Sequence, residues 1–262
     1  MPARSSLDVR RWLRLAVVLP VALAFGAQPA RAAEALVAVA ANFAEVVASL
    51  QPMFEARTGH RVVATTGSTG KLYAQIVAGA PFHVLLSADA TTPARLEAEG
   101  HGVAGSRFTY ALGKLTLWSA DPTRIGDDGR AALADPSLRF VAIANPDLAP
   151  YGAAAREAMQ ALGVWDDLQG RIAMGQNVGQ THSLVATGAA ELGFVARAAV
   201  QSPRTTARGS RWDVPPDLFA PILQDALLLQ RGADNQAAQA FLAFLRSPEA
   251  AQVIEAFGYA TD

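Results

Sequence analysis

Short apolar runs rich in β-branched residues alternate along this chain with segments whose apolar positions repeat at helical spacing, and that alternation leaves few folds open. Leu36–Ala40, Arg61–Thr65 and Val84–Leu86 read as strands. Phe43, Val46, Val47, Leu50 and Phe54 fall on one helical face, Leu72 and Ile76 on a second helix, and Leu96 on a third. A second set follows, with strands at Lys114–Trp118, Phe140–Ala144, Arg171–Met174, Leu192–Val195 and Pro221–Leu229, and helices over Tyr151–Leu162 and Val178–Thr187. Two helices close the chain, about Asn235–Leu245 and Pro248–Phe257. Such alternation predicts mostly parallel sheets with helices on both faces. A length of 262 residues favours two modest α/β lobes over one large sheet. One crossing between them is expected near Leu112–Leu115 and a return near Pro221–Asp225. Residues 33–112 with 226–262 then form the first lobe, and 113–225 the second. Residues 200–220, punctuated by Pro203, Gly209, Pro215 and Pro216, read as loop.

The first 32 residues stand apart from this pattern. Arg4, Arg10, Arg11 and Arg14 make a basic start, Leu15–Phe25 is an apolar run too short to span a bilayer, and Ala30-Arg31-Ala32 has the form of a cleavage site. Residues 1–32 therefore read as a secretory signal peptide, and the shortness of the run argues against a membrane anchor. Arg10-Arg11 also fits twin-arginine export, with the general secretory route as the default. Removing this segment takes away five of the 22 Lys and Arg and one of the 23 Asp and Glu, leaving 17 against 22 and a net charge of −5. An acidic exported protein is a poor partner for nucleic acid or anionic lipid. The chain has no Cys, which excludes disulfides, thiolate metal sites and thiol nucleophiles.

Four segments each end a predicted strand and open a predicted helix with small or amide residues. They are Ala40-Ala41-Asn42-Phe43, Gly67-Ser68-Thr69-Gly70, Ala149-Pro150-Tyr151-Gly152 and Gln176-Asn177-Val178-Gly179. A helix N-terminus carries unpaired N–H groups and the positive end of the peptide dipoles. Several converging on one point bind a small oxyanion without any formal positive charge.

Each segment also has a plainer reading. Asn42, with Glu45 three positions on, fits an N-cap and capping box. Gly67-Ser68-Thr69-Gly70-Lys71 invites a phosphate-loop reading that fails on spacing: Thr65 stands where the first Gly is needed, and Leu72 where Ser or Thr is needed. Pro150 suits a first helical turn, Tyr151 is either a packed ring or a donor at the helix mouth, and Val178 offers only its backbone N–H behind the capping Asn177. His60, His83, His101 and His182 are scattered without metal-ligand spacing, and no G-x-S-x-G elbow accompanies them. A secreted hydrolase using a Ser of Gly67–Gly70 is the alternative of another class. A sulfate or phosphate receptor is the alternative within binding proteins. Phosphate needs an acceptor for its bound proton, and Asp89, at a strand end, is the residue to check, with helix capping as its other role.

In order and spacing, these segments resemble the periplasmic molybdate-binding proteins, the solute receptors of molybdate ABC importers. The resemblance runs over nearly all of the chain after residue 32. Its most specific stretches are Val39-Ala40-Ala41-Asn42-Phe43, Gly67-Ser68-Thr69-Gly70-Lys71, Ala78-Gly79-Ala80-Pro81-Phe82 leading to Ser87-Ala88-Asp89, Ala149-Pro150-Tyr151-Gly152, Asn177-Val178-Gly179-Gln180 and Glu191-Leu192-Gly193-Phe194-Val195-Ala196. It implies two α/β lobes joined by two crossing strands, with the ligand in the interlobe cleft. It implies Asn42 and Thr69 as ligands from the first lobe, each through side chain and backbone, and Tyr151 and the Val178 amide from the second. It also implies no enzymatic activity, no cofactor, no metal apart from the molybdenum of the oxyanion, molybdate or tungstate as ligand, the permease of an ABC importer as partner, a monomer, and a periplasmic location. Many members carry Ser at the positions of Asn42 and Thr69 and Tyr at that of Ala196; Tyr151 is expected to replace the missing Tyr.

Overall fold

The computed structural model describes residues 32–204 and 208–261, so the expected signal peptide lies outside the described residues except for Ala32. In chain order, β1 (Glu34–Ala40) leads through a 3-10 turn to α1 (Ala44–Thr58), followed by β2 (Arg61–Gly67), α2 (Thr69–Val77), β3 (Val84–Leu86), α3 (Thr91–Ala98) and β4 (Phe108–Gly113). Next come β5 (Leu115–Ser119), α4 (Gly129–Leu133), β6 (Val141–Ala144), α5 (Pro150–Ala161), α6 (Trp165–Leu168), β7 (Ile172–Gly175), α7 (Val178–Ala186), β8 (Leu192–Ala196), α8 (Arg197–Gln201) and β9 (Ser210–Asp213). The chain closes with β10 (Ile222–Leu228), α9 (Gln236–Leu245) and α10 (Pro248–Ala256).

These strands form two five-stranded sheets, ordered β2-β1-β3-β10-β4 and β7-β6-β8-β5-β9. The chain passes from one to the other at Lys114 and returns over residues 214–221, so that all of β10, from Ile222 on, pairs in the first sheet. Each sheet has four strands running one way and one against them, which bears out the expectation of mostly parallel sheets. The reversed strands, β5 and β10, are the two entered directly from the other sheet. A helical crossover fixes a strand parallel to its predecessor; a strand entered by crossing between sheets has no such constraint. β9 lies within the stretch expected as loop. It is a four-residue edge strand, Ser-Arg-Trp-Asp, whose pairing with β5 leaves no apolar alternation to read.

The period of two along β1 assigns its faces. Ala35, Val37 and Val39 pack with Phe43, Val47, Leu50 and Phe54 of the α1 side and with Phe241 and Leu245 of α9. Ala38 faces the other way, against Leu72 and Ile76 of α2 and Leu96 of α3. In the second sheet, Leu115, Leu117, Val141 and Ile143 meet Ala155 and Met159 of α5 on one face, while Ala142 and Val195 meet Val185 of α7 on the other. Each fully buried Leu or Phe is worth roughly 1.5–3 kcal/mol, so each lobe holds its sheet rigidly from both sides.

That rigidity positions the strand ends. Register pairs Ala40 with Gly67 in the first sheet and Ala144 with Gly175 in the second. The residues that follow them open the 3-10 turn, α2, α5 and α7, so all four predicted junctions emerge at carboxyl ends of strands, where open α/β sheets bind ligands.

Candidate functional site

Between the lobes lies a small cavity. Asn42, Ser68 and Thr69 line it from the first lobe and Tyr151, Asn177 and Val178 from the second, so the structure brings all four predicted site residues to one place. The void, mouth included, is about 200 Å³. A nucleotide or a sugar does not fit such a space; a compact ion does.

The lining is rich in donors. Ser68 precedes α2 without capping it, and its buried hydroxyl has no hydrogen-bond partner. A buried polar group without a partner is unfavourable by about 1–3 kcal/mol, and this one has its proton free to donate. The Thr69 hydroxyl accepts 3.1 Å from the Ala88 N–H and keeps its own proton to give. The backbone N–H groups of Thr69, Tyr151 and Val178 open their helices and have no protein acceptor among the described residues. Asn177 caps α7 through Oδ1, which accepts 2.9 Å from the Gln180 N–H. Pro150 begins α5, where its missing N–H is no loss.

Asn42 differs from its capping-box expectation. A 3-10 turn over Ala41–Phe43 comes before α1, so Asn42 sits inside the turn instead of ahead of the helix. Its side-chain amide points away from both, donating 2.8 Å to Gln224 Oε1 and 3.1 Å to the Tyr259 hydroxyl. Tyr259 in turn donates 2.8 Å to the Asn42 carbonyl. With both amide protons engaged, the donor that Asn42 has left is its backbone N–H.

No Asp, Glu, Lys, Arg or His is among the residues lining the cavity. Asp89 lies outside it: its carboxylate accepts from the Thr92 N–H at 2.8 Å, the Thr92 hydroxyl at 3.0 Å and the Ser87 hydroxyl at 3.2 Å, bracing the start of α3. Burial nonetheless raises its pKa. Tyr151 is fully buried, and burial pushes its phenol well above the ordinary value, so it stays a protonated donor near neutral pH. His182 lines a neighbouring, larger cavity of about 700 Å³, mouth included, with Asn42, Val178 and Ala196. Its ring stacks on Trp118 at 4.8 Å, Nε2 is buried without a partner, and desolvation lowers its pKa. No histidine stands beside Ser68 as a base, which removes the structural ground for a hydrolase.

A family model described as bacterial extracellular solute-binding protein matches residues 35–260. The chain belongs to that family. A molybdate-binding protein ModA of Azotobacter vinelandii is 50% identical over 243 residues, covering 92% of this chain and 96% of the relative. One of Rhodobacter capsulatus is 48% identical over 248 residues, covering 95% and 94%. Among solved structures, the Azotobacter vinelandii periplasmic molybdate-binding protein superposes with a TM-score of 0.84 at 42% identity, over 87% of this chain and 99% of that one. The two-lobed fold is thus that of a solute-binding protein, and the relatives are binding proteins and not enzymes.

In a solute-binding protein, contacts across the cleft help define the closed state. Here the Gly70 N–H donates 2.9 Å to the Leu148 carbonyl, and Lys71 Nζ donates 2.7 Å to Gln176 Oε1. A Cβ at Gly70 would lie 3.1 Å from both Leu148 Cα and its carbonyl oxygen, so the absent side chain is what lets the lobes approach. Gly152 plays a similar part inside the second lobe, where a Cβ would fall 2.2 Å from the Ala144 carbonyl oxygen.

Ser68, Gln224, Tyr110 and Tyr259 were not singled out as functional from the sequence. Ser68 is a neighbour of the predicted Thr69 and could have been found by asking which hydroxyl lacks a cap to make. The other three meet the site from 68, 182 and 217 positions beyond Asn42, and nothing local to them announces it.

Proposed function

We propose that this chain is an exported, periplasmic receptor that binds molybdate, and tungstate with it, between its two lobes and delivers the ion to the membrane permease of an ABC importer. One observation supports the reading: a small interlobe cavity with no charged side chain in its lining, whose polar groups include hydroxyl and helix-opening N–H donors, one of them the Ser68 hydroxyl without a protein partner. Molybdate near neutral pH is an unprotonated tetrahedral dianion. It accepts everywhere and donates nowhere, so hydroxyl and N–H groups serve it, and a carboxylate would repel it. Hydrogen bonds to a charged group are worth about 1.5–3 kcal/mol each, so roughly six of them outweigh desolvation and closure. Ser68 and Thr69, with the N–H groups of Asn42, Tyr151 and Val178 and the Tyr151 hydroxyl, supply that number. The names of the relatives at about half identity point to the same ion.

Closure follows from the division of the donors. Each lobe holds part of the set, so the anion favours the state in which both reach it. We place the moving bodies at residues 33–113 with 222–261 and at 115–213, hinged at Lys114 and 214–221, which puts the return crossing just ahead of β10. Sulfate shares the charge and shape but has shorter bonds, so it is excluded by fit; hydrogen phosphate is excluded because its proton meets no acceptor.

A thermal-shift panel with molybdate, tungstate, sulfate and phosphate tests this. Ligand at a thousand times its Kd adds about 4 kcal/mol. For a chain of this size, that raises Tm by on the order of 10 °C. Shifts with molybdate and tungstate alone are expected; a shift with phosphate or sulfate instead would overturn the assignment.

A further inference from the structure

Gln224 is a buried amide in β10, whose other residues apart from Asp225 are apolar. It has no exposed surface, sits on β10 just after the return crossing, and does not line the cavity. Its side chain nonetheless reaches both halves of the site. Oε1 accepts from Asn42 Nδ2 at 2.8 Å and from the Tyr110 hydroxyl at 3.1 Å, while Nε2 donates to the Tyr151 hydroxyl at 3.3 Å. Asn42 belongs to the first lobe and Tyr151 to the second.

From this we infer that Gln224 is a positioning residue that sets the hydrogen-bond polarity of the oxyanion site, holding the Tyr151 hydroxyl as a donor toward the anion. The inference rests on the receptor reading above. A hydroxyl has one proton and two lone pairs. When Gln224 Nε2 occupies a lone pair of Tyr151, the proton turns away from the amide, toward the Tyr259 hydroxyl beside it and the cavity, where an anion is the stronger acceptor. On the other side, Gln224 Oε1 takes one amide proton of Asn42 and Tyr259 takes the other, which fixes the turn whose N–H groups face the anion.

The backbone is shaped around this amide. The β4–β10 ladder slips between Gln224 and Asp225, leaving Tyr110 as the extra residue between Thr109 and Ala111, and such bulges re-aim side chains next to sites. Gly113 makes the room: a Cβ there would fall 2.4 Å from the Tyr151 hydroxyl and 2.6 Å from Gln224 Nε2. Replacing this amide alone would leave buried donors of Asn42 and Tyr110 without their acceptor, so it serves the fold as well, and only a coupling measured in binding separates the two roles.

A double-mutant cycle in molybdate titration tests the role, with ligand-free Tm as the control. Wild type, Gln224→Met, Tyr151→Phe and the double variant are compared. Gln224→Met is expected to lower Tm, because it orphans buried groups of Asn42 and Tyr110, and to weaken molybdate binding of the folded protein about tenfold or more. Tyr151→Phe should weaken it comparably, and the double variant should lose no more than the worse single one, because both remove the same bond. A purely structural Gln224 would lower Tm too, but leave the affinities of the folded variants independent. Wild-type affinity in Gln224→Met, or losses that multiply in the double variant, would overturn the role. If the Met variant does not fold, isosteric Gln224→Glu takes its place, since its carboxylate draws the Tyr151 proton inward and must also weaken molybdate. Failure of the wild-type chain to bind any oxyanion would overturn the receptor reading, an outcome distinct from wild-type-like binding by the variant.

Discussion

Gly70 and Leu148 belong to different lobes, yet the N–H of one meets the carbonyl of the other at 2.9 Å, at a place where a side chain on Gly70 would touch backbone. That contact leaves little room for a methyl group on Gly70. Replacing Gly70 by Ala should have effects of opposite sign. Gly70 lies in the first turn of α2 without a positive φ, so Ala there restricts the unfolded chain by roughly 0.4–1 kcal/mol and the protein without ligand should be as stable or more stable. The added Cβ at 3.1 Å from Leu148 should hold the lobes apart and weaken molybdate binding about tenfold. Calorimetric titration beside a melting curve checks both signs.

Ser68→Ala makes a second case in which affinity and stability separate. The hydroxyl has no partner in the ligand-free protein, so its removal should leave Tm unchanged or slightly higher. A hydrogen bond to a charged ligand is worth about 1.5–3 kcal/mol, so the Kd for molybdate should rise about 10- to 100-fold. A variant that loses stability and keeps affinity would show that the hydroxyl serves the fold.

Gly113→Ala should harm both properties. Its Cβ would fall within 2.6 Å of the Gln224 amide and closer still to the Tyr151 hydroxyl. Overpacking a buried contact of this kind is unfavourable by about 1–3 kcal/mol. The displaced pair lies behind the site, so denaturant unfolding and molybdate titration should both register the change.

The buried phenols predict an alkaline limit. Burial raises Tyr110, Tyr151 and Tyr259 above the ordinary value of 10.0, and all three are nearly inaccessible to solvent. A raised group keeps its proton in the folded chain while the unfolded chain loses it. Its contribution is present in full below about pH 10 and is lost as pH rises from there through the folded value. With three such groups, unfolding free energy should fall by about 4 kcal/mol per pH unit above pH 10. Absorbance at 295 nm should show Tyr73, the partly exposed fourth tyrosine, ionising in the folded protein and the other three only on unfolding.

Much of this was legible because its signals are local. Asn177 is followed by a helix and caps it, and Pro150 opens the next one where its ring is tolerated. Leu36–Ala40 was legible as a strand from its apolar, β-branched run, and which face each residue takes follows from the packing. Asn42 shows the limit: Asn with Glu45 three residues later has the pattern of a capping box, and only tertiary partners from β10 and the C-terminal residue Tyr259 divert its amide. Gln224 was hidden for the same reason. Within Ile222–Leu228 it reads, with Asp225, as a polar interruption of an apolar strand, and its meaning lies in a bulge and three side chains far away in sequence. The short edge strand β9 carries too few residues for any period to show.

Competition calorimetry tests the carboxylate-free cavity most directly. Molybdate would be titrated into the purified protein at neutral pH, alone and then with a large excess of sulfate or phosphate. Tight one-to-one molybdate binding that neither competitor disturbs is the predicted result. Displacement of molybdate by phosphate, which brings a proton that this lining has no carboxylate to accept, would contradict it.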